Sequence, residues 1–170
     1  MSKNKLMPTI VLSTICVLVV ALLAAINMFT GPAIRENQRQ KLQDALLEVM
    51  PDGGLFTKLE NVSGLPESVT DVFVASNGGY VIQTQAKGFK TGMIIVCGFD
   101  ENGYITGTKC IKSQETNGAE NILPEMYVGK TISDYETVEI IANSTKTSEG
   151  YKTAIGDAFE AYKAIQGGNE

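Results

Sequence analysis

The sequence has no histidine and no tryptophan. Without an imidazole, the usual general base, the commonest nitrogen metal ligand and the histidine ligand of haem are all missing. Three cysteines are too few for the four thiolates of an iron–sulfur cluster, and no G-x-G-x-x-G run marks a dinucleotide site. Positive charge is also in deficit, with 14 Lys and Arg against 19 Asp and Glu. A nucleic-acid backbone is therefore excluded as a partner. These absences count against histidine-dependent hydrolysis, imidazole metal centres and nucleotide reduction by this chain alone.

Charge of either sign is missing from Pro8 to Phe29. The run "PTIVLSTICVLVVALLAAINMF" can cross a hydrocarbon core about 30 Å thick, and predicts a transmembrane helix over residues 8–29. A cleavable signal would have an apolar core of about 7–15 residues and a small-x-small cleavage site. Ile15 ahead of Cys16 does not suit a lipoprotein signal either, so an uncleaved anchor is expected. Lys3 and Lys5 are the only charges before the span. They place residues 1–7 in the cytoplasm and the remainder outside, although Arg35, Arg39 and Lys41 follow the span closely. A span without charged residues is an anchor and not an ion path.

All the acidic residues lie beyond this span. Gly31 and Pro32 suggest a break, and Ile34, Leu42, Ala45, Leu46 and Val49 predict a juxtamembrane amphipathic helix over 30–50, ended by Pro51. Residues 51–170 then suffice for one extracytoplasmic domain. Within it, 51–67 read as an irregular connection. Four strand-like runs follow, "TDVFVAS", "GYVIQTQA", "TGMIIVCGFD" and "YITGTKCIKSQ", separated by "NGG", "KGFK" and "ENG". These are hairpin signals, and they predict an antiparallel meander. Gly118 and Pro124 interrupt the next stretch. Tyr151, Ala154, Ile155, Ala158, Phe159 and Tyr162 then form the apolar stripe of a final helix packed on the sheet. The expected class is α+β. With Asn102 and Gly103 as a two-residue turn, Cys97 faces Thr108 and Cys110 is only diagonal to it, so two unpaired thiols are expected.

The final helix is preceded by "NSTKTS", residues 143–148. Thr147 or Ser148 would serve as an N-cap, which is the simplest reading. The same run would also suit an anion, because a helix N-terminus offers N–H groups and a positive dipole end. Asn143, Ser144 and Thr145 additionally spell a glycosylation sequon, a three-residue match that arises by chance.

The order of anchor, juxtamembrane helix, meander, an "ET-x-G" loop and a small-residue-plus-Thr motif resembles the FMN-binding domain family. Its members include the G subunit of the Rnf electron-transport complex and the C subunit of the sodium-pumping NADH:quinone oxidoreductase. The length of this chain is nearer the Rnf protein. The family's hallmark is an acidic residue, two spacers and Ser-Gly-Ala-Thr, whose Thr carries FMN through a phosphoester placed by a flavin transferase. The resemblance puts the acidic position at Glu139, the small residues at Ala142, Asn143 and Ser144, and the flavin at Thr145. Thr147 and Ser148 match the downstream residues. Asn143 stands for a glycine that would adopt positive φ, and asparagine is well tolerated there.

A second family element, an "ETPGLG"-like loop along the flavin, corresponds to Glu115, Thr116, Asn117, Gly118, Ala119 and Glu120. Asn117 replaces a proline and Glu120 a glycine, so a carboxylate near the flavin would be expected to lower its potential. The resemblance implies an electron-transfer subunit of a ferredoxin:NAD oxidoreductase coupled to Na⁺ or H⁺ translocation. Covalent FMN would be its cofactor, and other membrane subunits and the transferase its partners. A stand-alone flavinylated extracellular carrier is the alternative. A third reading is a membrane-anchored interaction or sensor domain that has lost its flavin.

Overall fold

The computed structural model describes residues 3–116 and 118–167, with side chains from Met7 onward. Met1, Ser2, the side chains of Lys3 and Lys5, and Asn117, which stands at the family's proline, lie outside the described residues. The chain divides into two compact units, residues 1–41 and 42–170.

The first unit is helical. Helix α1 spans Lys3–Val49 and contains Pro8 and Pro32. The stop expected at Gly31 and Pro32 does not occur. A proline inside a helix removes one hydrogen bond at a cost of about 3 kcal/mol, and helix-forming residues on both sides carry the helix through. The segment from Met7 is long and apolar enough to cross a membrane, and none of its most apolar stretch is buried against protein. Its Ile10, Leu18, Leu22 and Phe29 side chains are exposed. Thr14 and Thr30 return their hydroxyls to the carbonyls of Ile10 and Ile26, each at 2.9 Å, which satisfies them without water. Ile34 is exposed, so the amphipathic stripe is shorter than expected and begins at Leu42.

The second unit contains a five-stranded antiparallel meander, β1 Phe56–Leu59, β2 Val69–Ala75, β3 Tyr80–Lys87, β4 Thr91–Phe99 and β5 Ile105–Lys112, in sequential order. Helix α2, Leu123–Tyr127, and helix α3, Thr145–Gly167, complete it. The four central runs expected as strands are all present. Strand β1 lies hidden in the connection expected to be irregular, because four residues bounded by Gly, Asn and Ser show no measurable alternation. It pairs Phe56 with Ala75, and Lys58 forms an ion pair with Asp71. Helix α2 forms despite Pro124, because a proline in the first turn has no lost hydrogen bond to replace.

The β4–β5 turn differs from the expected one, yet the register agrees. Asp100 N–H donates to the Tyr104 carbonyl at 3.0 Å, enclosing three residues, with Gly103 left-handed at φ 80°. A one-residue irregularity between Gly98 and Phe99 compensates, and Cys97 faces Thr108 as expected. Cys97 and Cys110 are both unpaired thiols.

Alternation along the strands gives the sheet two apolar faces. On one, Val72, Ile82, Ile95, Cys97 and Phe99 pack with Tyr151, Ile155, Ala158 and Phe159 of α3. Phe99 meets Phe159 at a ring separation of 4.9 Å and an interplanar angle of 61°. On the other, Phe73, Ala75, Val81 and Val96 pack with Ala45, Leu46, Val49 and Met50. Each Val, Leu, Ile, Phe or Met among them contributes about 1.5–3 kcal/mol on burial. A Cβ on Gly107 would lie 2.8 Å from the Val49 Cα, so only glycine lets the end of α1 seat on β5.

Candidate functional site at the start of the last helix

The beginning of α3 meets two loops: the β3–β4 turn at Gly88–Lys90 and the segment after β5. The approach to the turn depends on Gly150, where a Cβ would lie 2.4 Å from the Lys87 carbonyl oxygen. Contact this close fixes the helix start against the turn.

Glu115 ties the three segments together. Its Oε2 accepts the Thr147 hydroxyl at 2.5 Å and the Phe89 N–H at 3.2 Å, and its Oε1 accepts the Lys90 N–H at 2.9 Å. Its own N–H donates to the Ser113 hydroxyl at 2.9 Å. Partial burial pushes this carboxyl upward, but the Thr147 hydroxyl, the two loop amides and the Lys90 charge outweigh it. The net effect holds Glu115 below the ordinary glutamate range. Glu115 is thus an ionised strap.

The run ahead of α3 turns sharply at Asn143, which is left-handed at φ 62°. This is the conformation expected where the family motif has glycine. The Ser144 N–H donates to the Ile141 carbonyl at 3.0 Å, and the Ser144 carbonyl accepts the Ser148 N–H at 2.9 Å. Ser144 therefore occupies the N-cap position, and the helix begins at Thr145. Thr147 and Ser148, expected as caps, lie inside the first turn. Their hydroxyls serve tertiary contacts, Thr147 to Glu115 and Ser148 by accepting the Ile141 N–H at 3.2 Å. Ser144 is 7 % exposed, whereas Thr145 is exposed. The two adjacent hydroxyl residues thus differ in exposure.

A cleft of about 330 Å³ opens here, lined by Phe89, Glu115, Thr116 and residues 143–147. Of the residues expected from sequence to bind the cofactor, it gathers Glu115, Thr116, Asn143, Ser144, Thr145 and Thr147. Ser148 is buried and outside the lining. Gly118, at φ 69°, starts the short 3₁₀ turn Ala119–Asn121 and does not line the cleft. Glu139 is exposed and also outside it.

Glu120 departs from expectation. It is not in the Thr145 cleft but in a different one along β5, where its Oε1 accepts the Ser113 hydroxyl at 3.1 Å. The 3₁₀ turn after Gly118 carries its side chain away, so the expected carboxylate beside a flavin is absent from the Thr145 cleft.

Sequence reasoning missed Phe89 and Lys146. Phe89 is 63 % exposed, and the Lys146 ammonium lies 5.9 Å from its ring centre, within cation–π range. An exposed aromatic between two lysines in "KGFK" was the available signal. Among the described residues, no cluster of His, Cys, Asp or Glu could hold a metal ion.

Residues 1–49 match the family described as the RnfG N-terminal region. The whole chain is 27 % identical to the G subunit of the Na(+)-translocating ferredoxin:NAD(+) oxidoreductase complex of Acetobacterium woodii, over 94 % of this chain and 85 % of that protein. Residues 1–49 thus resemble the RnfG N-terminal region, and the chain is similar over most of its length to the G subunit of that complex.

Proposed function

We propose that this chain is the electron-transfer subunit of an Rnf-type membrane complex, and that it carries FMN on the Thr145 hydroxyl through a phosphoester. The observation that carries the attachment is the contrast between an exposed Thr145 and a buried Ser144 at the first turn of α3. Both residues line the cleft, and Thr145 presents the more exposed side chain to a transferase.

The residues present fit the group. A helix start leaves its first N–H groups without intrahelical partners, and these, with the positive dipole end, suit a phosphate. Lys146 and Lys90 add positive charge. Glu115 saturates its own carboxylate with loop donors, which blunts its repulsion of an anion and keeps the cleft wall in place. Phe89 offers an aromatic face for a planar ring. A volume of about 330 Å³ lies within the range of ligand sites. When bound, FMN supplies one- or two-electron transfer, and the protein supplies attachment and orientation. No acid or base from this chain is required, which accords with the absence of histidine.

In this reading α1 anchors the domain, with the N-terminus in the cytoplasm and the flavin outside. Ferredoxin and NAD are handled by other subunits, as is the Na⁺ or H⁺ path. A flavin transferase is the maturation partner.

The test is fluorescence of the denatured protein band after co-expression with an active transferase. Wild type and Ser144→Ala should fluoresce, and Thr145→Ala should be dark. A dark wild-type band, with a control protein labelled in the same cells, would overturn the flavin carrier and favour a domain that has given up the cofactor.

A further inference from the structure

Phe89 and Lys146 are shared by the Thr145 cleft and a neighbouring groove of about 520 Å³, which runs between the end of β3 and α3. The pair is therefore the partition between the two spaces. An exposed phenylalanine that stands alone on a surface is ordinary, but the backbone of this one is clamped from two sides. The Glu115 carboxylate that accepts the Phe89 N–H also accepts the Thr147 hydroxyl, two residues beyond Thr145. One side chain thus fixes the aromatic relative to the attachment oxygen. On the other side, Gly150 brings the α3 backbone against the Lys87 carbonyl, where a Cβ would lie only 2.4 Å away.

The lining of the Thr145 cleft gives this position its meaning. Among its described residues Phe89 is the single apolar side chain, and the rest are Glu, Thr, Asn, Ser and Lys. A planar, largely apolar ring tethered at Thr145 has one surface against which to leave water. Lys146 now stands over that surface, with its ammonium 5.9 Å from the ring centre. An exposed cation–π contact is a weak use of an aromatic face, whereas a stacked ring also buries apolar area, so the stack displaces the ammonium.

We propose that Phe89 is the positioning residue for the flavin, with the isoalloxazine ring of an FMN on Thr145 stacked on its face and Lys146 moved to the edge of the stack. This rests on the reading that Thr145 carries FMN.

The full chain, co-expressed with an active transferase, provides the test. The sequence has no tryptophan, and no tyrosine is among the described lining residues. An introduced indole is therefore a contact probe, because it quenches an excited flavin by donating an electron to it and a phenyl ring does not. Phe89→Trp should lose most of the native-state flavin emission and regain it on denaturation. Tyr104→Trp, on the exposed turn at the other end of β4, should keep the wild-type emission. Phe89→Leu retains apolar bulk without an aromatic face. Its flavin anisotropy should decay faster than that of wild type, because the ring turns more freely on its tether, while its denatured band stays as bright. An unquenched Phe89→Trp, or wild-type anisotropy in Phe89→Leu, with bright denatured bands, would overturn the placement and leave the attachment standing. A dark denatured wild-type band would overturn the attachment, and the placement with it.

Discussion

The two clefts differ in how each treats a glutamate, although Glu115 and Glu120 are only five residues apart. In the Thr145 cleft, Glu115 is partly exposed and accepts three hydrogen bonds; the reactive group on offer is a hydroxyl. In the β5 cleft, Glu120 is buried with one oxygen left unpaired among the described residues. A saturated carboxylate holds loops together, whereas a buried one with a single partner carries a desolvation cost. The left-handed Gly118 and the 3₁₀ turn after it separate the two roles.

The largest effect that would break this comparison comes from Gly150. A side chain there collides with the Lys87 carbonyl, so Gly150→Val should cost about 3 kcal/mol in denaturant unfolding and open the Thr145 cleft, with little effect on the cleft at Glu120. Next comes Glu115→Ala, which leaves two loop amides and the Thr147 hydroxyl without their acceptor. A loss of about 1–2 kcal/mol is expected, reduced by the partial exposure of the site. Glu120→Gln should behave oppositely, changing stability by about 0–1 kcal/mol and in the stabilising direction, because it relieves a buried charge. Equal destabilisation by the two glutamate variants would erase the distinction.

The smallest effect is in pH dependence. Since the folded state holds the Glu115 pKa down, its contribution is complete above the ordinary glutamate value near 4.3. It is lost as pH falls through the lowered folded value. The stability gap between wild type and Glu115→Gln should therefore be constant from neutral pH to about 5 and close in stronger acid. A gap that widened on acidification would contradict the strap.

Much of the fold is legible in the sequence because its signals are periodic. The alternation in "GYVIQTQA" and the three-four spacing from Tyr151 to Tyr162 each bury one face, and both elements stand where expected. The β4–β5 register agrees through two compensating features, a three-residue turn and a bulge, that alternation cannot distinguish from a two-residue turn. Strand β1 and helix α2 are too short for any period to emerge. The helix at Pro32 continues because local breaking tendency loses to the propensity of its neighbours.

At the site, the left-handed Asn143 agrees with what the family resemblance implied, because a backbone demand is a local property. Phe89 is not legible in the sequence, since a turn aromatic carries no pattern, and its partner Lys146 comes from a distant part of the chain. Glu120 falls on the other side from the one expected because the direction of a side chain after a left-handed glycine depends on that one φ angle. Burial, which separates Ser144 from Thr145, is likewise a property of the folded state alone.

The central claim is that the exposed threonine, and not its buried neighbour, bears the flavin. Electron-transfer fragmentation of the flavinylated peptide containing residues 131–146 tests it most directly, because it cleaves between Ser144 and Thr145 while keeping a phosphoester intact. The expected result is a flavin–phosphate mass on every fragment containing Thr145 and on none ending at Ser144. A modified Ser144 fragment, or an unmodified peptide from cells whose transferase labels a control protein, would contradict the account.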